Sequence, residues 1–179
     1  LMSRNNYSFM QITKSERKLM SKLERYKNDF RDYKIPKTMK ATVLSGVGFE
    51  NINVREIEVP EPGPKQLLAR VDAAGVCTSI LKIISQGSDH KYLYGWDPAK
   101  WPLIMGDEGS LTIVKVGSEL QNKYKVGQRC GLQPAVDTRP INYLERYKNQ
   151  GRDVEKMGVG YTLPGQLAEY VLIQEEIME

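Results

Sequence analysis

From residue 40 onward the chain breaks into short apolar runs, each stopped by glycine or proline before a helical period can establish itself. A chain punctuated this way must build its core from strands. Residues 40 to 45 and 51 to 59 read as strands on either side of a turn at Gly46 and Gly48. Pro60, Pro62 and Pro64 mark a rigid surface turn. Residues 66 to 74 read as a largely buried strand. Residues 110 to 116 read as another, on the alternation of Leu111, Ile113 and the Val114/Val116 pair. Gly127 and Gly131 bracket a short strand containing Cys130, and residues 167 to 173 close the series. A short helix is expected over 78 to 85, after Gly75. A long loop rich in Gly, Asp, Tyr and Pro follows from Gln86 to Pro102. Residues 134 to 165 are polar and irregular, with one helix expected near Ile141 to Lys148. Strands and helices do not alternate, so a mainly β, barrel-like core is expected rather than a doubly wound sheet.

The N-terminal segment has a different texture. Leu19, Leu23, Tyr26, Phe30 and Tyr33 recur at spacings of four and three, which predicts a helix over 13 to 34. Thr13 with Glu16 fits a capping box, and Pro36 ends the helix. Residues 1 to 40 hold 11 Lys/Arg against 4 Asp/Glu, so this arm is +7 within a chain of net +4. A basic helical extension over 1–38 therefore precedes a slightly acidic body over 39–179. Such an arm is a solvated helix face or a contact for nucleic acid, anionic lipid or an acidic partner. No base-reading motif supports nucleic acid as a partner. No run of about 18 apolar residues exists to span a membrane, and no signal peptide opens the chain. Two cysteines, Cys77 and Cys130, make no disulfide framework and fit a reducing cytoplasm. Leu1 ahead of Met2, and the charged run that stops at Glu179, read as the ends of a fragment.

Two clusters can carry chemistry: Gly75-Val76-Cys77-Thr78-Ser79 and Gly106-Asp107-Glu108-Gly109. A cysteine at a strand end with a hydroxyl two residues on suits a catalytic metal site, because thiolate and carboxylate both ligate zinc and a reactive site keeps one position open. Taken alone, the same residues also read as a small buried hydrophobe and a glycine-flanked turn.

The order of the segments narrows this. Met-Lys-Ala-Thr-Val-Leu over 39–44 is followed by Ile-Glu-Val-Pro-Glu-Pro-Gly-Pro over 57–64 and by the run 66–79 that ends in Cys77 and Ser79. Then come Pro-Leu-Ile-Met-Gly-Asp-Glu-Gly at the head of 102–117, Lys-Val-Gly-Gln-Arg-Cys-Gly over 125–131 and Gly-Gln-Leu-Ala-Glu-Tyr-Val-Leu-Ile over 165–173. This series resembles the N-terminal, GroES-like catalytic domain of the zinc-type medium-chain alcohol dehydrogenases, closer to their sorbitol and sugar-alcohol branch. The resemblance covers residues 39–179. It implies a partly open β-barrel with short helices. It also implies Cys77 as a zinc ligand, Asp107 at the position of a ligating histidine, and Glu108 beside the metal, able to approach it. Ser79 becomes the hydroxyl that moves the substrate proton. The implied reaction is oxidation of a small alcohol or sugar, with zinc and NAD or NADP, in a homo-oligomer. No residue of this chain is assigned to cofactor binding, since no Gly-x-Gly-x-x-Gly follows a strand. On this reading the nucleotide-binding domain and the third zinc ligand lie outside the chain, which should not turn over alone.

Three departures from the family pattern stand out. Asp107 replaces histidine. Ile80 stands where an aspartate often follows the hydroxyl. Residues 132 to 165 lack the four cysteines of a structural zinc lobe, so no structural zinc is expected. The first two leave open a degenerate module that serves protein interaction without catalysis. Lys82 falls where some relatives finish the proton relay with histidine, and a surface role is expected for it instead. His90, the sole histidine, reads as an exposed loop residue, against a substrate contact or replacement ligand. Tyr92, Tyr94, Trp96 and Trp101 make the 86–102 loop aromatic, for sugar stacking or for packing alone.

Overall fold

Alternation decides how the first strand lies. In β1, Thr38–Leu44, the residues Met39, Ala41 and Val43 are buried while Thr38 and Lys40 are exposed. The computed structural model describes residues 33–93, 95–132, 135–136 and 157–174. All of them belong to one unit, Arg31–Glu179. The helix expected near Ile141 to Lys148 lies outside the described residues, as does Tyr94, and so does the helix expected over 13 to 34 except for Tyr33 and Lys34, which are not helical.

β1 pairs antiparallel with β2, Ile52–Glu58, in a register that sets Met39 opposite Ile57 and Val43 opposite Asn53. Its other edge takes β4, Leu103–Ile104. A second sheet is built on β3, Gln66–Ala74. β5, Gly109–Val116, and β9, Tyr170–Gln174, flank it, and β6, Arg129–Gly131, pairs with the far edge of β5. β7, Ala135–Val136, and β8, Met157–Gly158, form a small separate pair. Central β3 buries Gln66, Leu67, Leu68 and Ala69 in succession, as a strand covered on both faces does.

The two larger sheets are joined by the segment leading into β9. Thr42 N–H donates to Leu167 O at 2.7 Å, Glu169 N–H to Lys40 O at 3.0 Å, and Val71 N–H to Glu169 O at 2.9 Å. One stretch thus hydrogen-bonds to β1 and then to β3, which curls the sheets around a shared core. That core includes Leu44, Leu67, Leu111, Ile113, Leu120 and Ile173, each at most 1% exposed. Fully burying a side chain of this kind is worth about 1.5–3 kcal/mol.

The single described α-helix, α1, spans Thr78–Gln86. Ile80, Ile83 and Ile84 are its buried face, at the spacing a helix needs to present one apolar stripe. Gly87 ends it at φ 54°, a left-handed position where a side chain would be strained.

The stretch from Gln86 to Pro102 is not an open loop. It turns twice as 3₁₀-helix, at Gly87–Asp89 and Lys91–Leu93, and buries Leu93 and Trp96. Trp96 Nε1 donates to Trp101 O at 2.6 Å and the two indoles lie 5.5 Å apart. These tryptophans are packing residues. β4 escapes a sequence reading because two residues carry no period.

Candidate functional site

Antiparallel register brings the two chemical clusters together. Ala74, the last residue of β3, pairs with Gly109, the first of β5. The chain leaving β3 therefore runs beside the chain entering β5. Gly75 N–H donates to Glu108 O at 2.9 Å and extends the contact by one residue. Two positions further on, Cys77 occupies the N-cap of α1 with extended backbone (φ −95°, ψ 172°). The turn into α1 then delivers Ser79 onto the same side.

There Cys77, Ser79 and Asp107 meet. Cys77 Sγ lies 3.4 Å from Asp107 Oδ1 and 3.6 Å from Oδ2. Ser79 Oγ donates to Asp107 Oδ2 at 2.9 Å and is also in contact with Cys77 Sγ. For a tetrahedral zinc with Zn–S of about 2.3 Å and Zn–O of about 2.0 Å, two such ligands sit about 3.5 Å apart. The thiol and carboxylate fit that spacing. Oδ1 is the oxygen nearer the thiol and accepts its hydrogen bond, whereas Oδ2 accepts from the Ser79 and Tyr161 hydroxyls. Among the described residues no third His, Cys, Asp or Glu joins this pair.

Tyr161 completes the cluster, and sequence reasoning missed it. Its hydroxyl donates to Asp107 Oδ2 at 3.0 Å. A tight turn carries it there: Tyr161 N–H donates to Gly158 O at 3.2 Å and Gly160 N–H to Leu163 O at 2.9 Å. Gly165 N–H, Gln166 N–H and Leu167 N–H then bond to the carbonyls of Ile104, Gly106 and Met105 at 2.8 to 2.9 Å. Gly160 sits at φ +81°, and a Cβ there would come within 2.6 Å of the Gly106 backbone. Only glycine lets the two strands of chain approach so closely. Nothing periodic marks Tyr161 in the sequence; its partner is 54 residues away. Burial pushes the Tyr161 phenol up to about 12, the contact with Ser79 opposes this, and the Asp107 carboxylate adds to the rise. The phenol is therefore protonated at neutral pH and acts as a donor.

Beside the cluster opens a cavity of about 510 Å³, lined by Ser79, Lys82, His90, Tyr92 and Tyr161 among others. His90 is 6% exposed, which corrects the expectation of an exposed loop histidine. It is buried because its ring stacks on Tyr161, with centroids 5.7 Å apart, and packs against Tyr92 at 5.8 Å. Its Nδ1 accepts the Tyr92 N–H at 3.3 Å. Burial lowers its pKa from 6.5, and the Lys82 and Lys91 ammoniums lower it further.

The remaining candidates fall outside this cluster. The Glu108 side chain lies over Gly75, where an added Cβ would meet its Oε1 at 2.6 Å, and the residue is exposed. It forms no group of three with Cys77 and Asp107. Ile80 is 3% exposed in the core beneath α1. Cys130 pairs across the sheet with Leu111, and burial raises its thiol pKa, with the Asp72 carboxylate adding to the rise.

Residues 63–178 match the alcohol dehydrogenase GroES-like domain. The chain is 31% identical over 134 residues to sorbitol dehydrogenase of Bombyx mori, an alignment covering 73% of this chain and 35% of that protein. It superimposes with a TM-score of 0.58 on 2R,3R-butanediol dehydrogenase from Bacillus subtilis, at 28% identity, covering 78% of this chain and 39% of that one. A Sinorhizobium meliloti dehydrogenase bound to NADP also matches at TM-score 0.58 and 28% identity, covering 78% of this chain and 37% of that one. The chain thus spans about a quarter to a third of the length of the curated relatives it matches first. Domain match, relatives and structural neighbours agree: this chain belongs to the zinc-type medium-chain alcohol and polyol dehydrogenases, and residues 63–178 are their GroES-like domain.

Proposed function

We infer that this chain supplies the catalytic domain, from residue 39 onward, of a zinc-dependent oxidoreductase that passes hydride from a sugar, polyol or other secondary alcohol to NAD or NADP. The observation that carries the reading is the 3.4 Å approach of Cys77 Sγ to Asp107 Oδ1, the spacing of two ligands on one tetrahedral zinc. Cys77 and Asp107 would hold the metal, with a third donor supplied from outside the described residues. Zinc held there would polarise the alcohol and favour loss of its proton.

The chain's own residues manage the proton and the ligand geometry. Ser79 donates its hydroxyl hydrogen to Asp107 Oδ2, so an Oγ lone pair can accept a hydrogen bond from the alcohol hydroxyl and orient it beside the cavity. Tyr161 and Ser79 together occupy Oδ2, which leaves Oδ1 to face the thiol. That support stands in for the absent aspartate at Ile80. Glu108 is assigned a place near the metal in the working site. The nicotinamide cofactor is assigned to the part of the relatives that this chain does not span.

Metal analysis of the full-length protein tests this. Stoichiometric zinc, with alcohol oxidation abolished by a chelator and restored by zinc, is expected. A zinc-free preparation that oxidises alcohols and is indifferent to chelation would overturn it.

A further inference from the structure

We propose that the cavity beside Ser79 takes a sugar or polyol carrying a phosphate monoester, with Lys82 and Lys91 holding the phosphate. This rests on the oxidoreductase reading and names the substrate class for the same site.

The cavity is asymmetric in charge. Ser79 and Tyr161 mark its end nearest the thiol–carboxylate pair. Lys82 lies one helical turn beyond Ser79 on α1, so the two share a helix face. Lys91 comes from the 3₁₀ turn Lys91–Leu93, and both lysines are exposed at the lining. Neither forms an ion pair with a carboxylate among the described residues. Asp89 is the acidic residue of the lining, so two cations meet one anion.

Lys82, Lys91 and the buried His90 all line the cavity, and Lys91 Nζ lies 4.6 Å from the centre of the Tyr92 ring. That imidazole accepts at Nδ1, so its neutral form carries its proton on Nε2 and offers a donor. Two lysines and the His90 imidazole line the cavity, and the Tyr161 hydroxyl hydrogen is already donated to Asp107. A phosphate brings three strong acceptor oxygens and nearly two negative charges to such a wall. The cavity volume of about 510 Å³ suits a small ligand of this kind.

The test compares D-sorbitol with D-sorbitol 6-phosphate in the full-length, zinc-loaded protein, by turnover with NAD and NADP and by calorimetric binding. The kcat/KM ratio should favour the phosphate by about tenfold or more, the scale of one charge-assisted contact. Lys82→Gln and Lys91→Gln should each collapse that ratio, and Asp89→Asn should raise it. All three residues are exposed or at the rim, so the variants keep the fold. Equal use of the two substrates would overturn the proposal and leave the oxidoreductase reading standing. So would lysine variants that raise the KM of NADP rather than of the polyol phosphate. If neither substrate turns over, phosphate-selective binding that both lysine variants weaken upholds the site while the oxidoreductase reading falls. Absence of such binding overturns the site.

Discussion

The Tyr161 hydroxyl donates to Asp107 Oδ2 across 3.0 Å, from a turn 54 residues further along the chain. Ser79 donates to the same oxygen at 2.9 Å. The Asp107 carboxylate is therefore held by two hydroxyl donors at one oxygen, and its other oxygen faces Cys77.

Removing one lock should loosen the metal. Tyr161→Phe keeps the ring and its stacking on His90 but deletes the donor. Loss of such an outer partner costs about 10–100-fold in metal affinity. Competition titration of the full-length protein with a chromogenic chelator reads this directly, and unchanged affinity would remove Tyr161 from the site.

Removing either proposed ligand should cost more. Asp107→Ala and Cys77→Ala should each exceed that roughly 10–100-fold loss and leave zinc below stoichiometry after dialysis. Elemental analysis checks both. Because Asp107 is half-buried and outside the apolar core, unfolding by urea should change little beside the loss of metal.

The close approach behind Tyr161 predicts a stability defect. Gly160→Ala puts a methyl 2.6 Å from the Gly106 backbone at φ +81°. A strained left-handed residue costs about 1–3 kcal/mol, with the clash adding to it. Thermal or urea unfolding should show the loss, with zinc affinity falling alongside as the turn moves.

His90 predicts a pH effect. Its folded pKa lies below the ordinary 6.5 because burial, and then Lys82 and Lys91, disfavour the imidazolium. Above pH 6.5 folded and unfolded chains both carry it neutral, and it contributes nothing to pH dependence. As the pH falls below 6.5 the unfolded chain binds a proton that the folded chain resists, so stability drops. Urea midpoints at pH 7.5 and 5.5 should therefore diverge less in His90→Phe than in the natural protein.

Much of the fold is legible from local pattern. The strands at 40–45, 66–74 and 110–116 appear within a residue or two of where alternation and buried runs place them, and α1 begins at the expected Thr78. Cys77, Ser79 and Asp107, singled out in the sequence, lie within hydrogen-bond reach of one another. The misses have a common cause. β4 is too short for any period. His90 and Trp96 look like loop residues until the 86–102 stretch is seen to fold back on Tyr161 and Trp101.

The amino-acid sequence by itself determined the β architecture and the family, because those depend on residue type, order and short-range period. Tertiary structure decided how the carboxylate is held. The bridge of 167–169 between β1 and β3, and the glycine contact of Gly160 with Gly106, bring Tyr161 onto Asp107. Contacts across so many residues are settled by strand register and close backbone approach, which leave no local mark in the sequence.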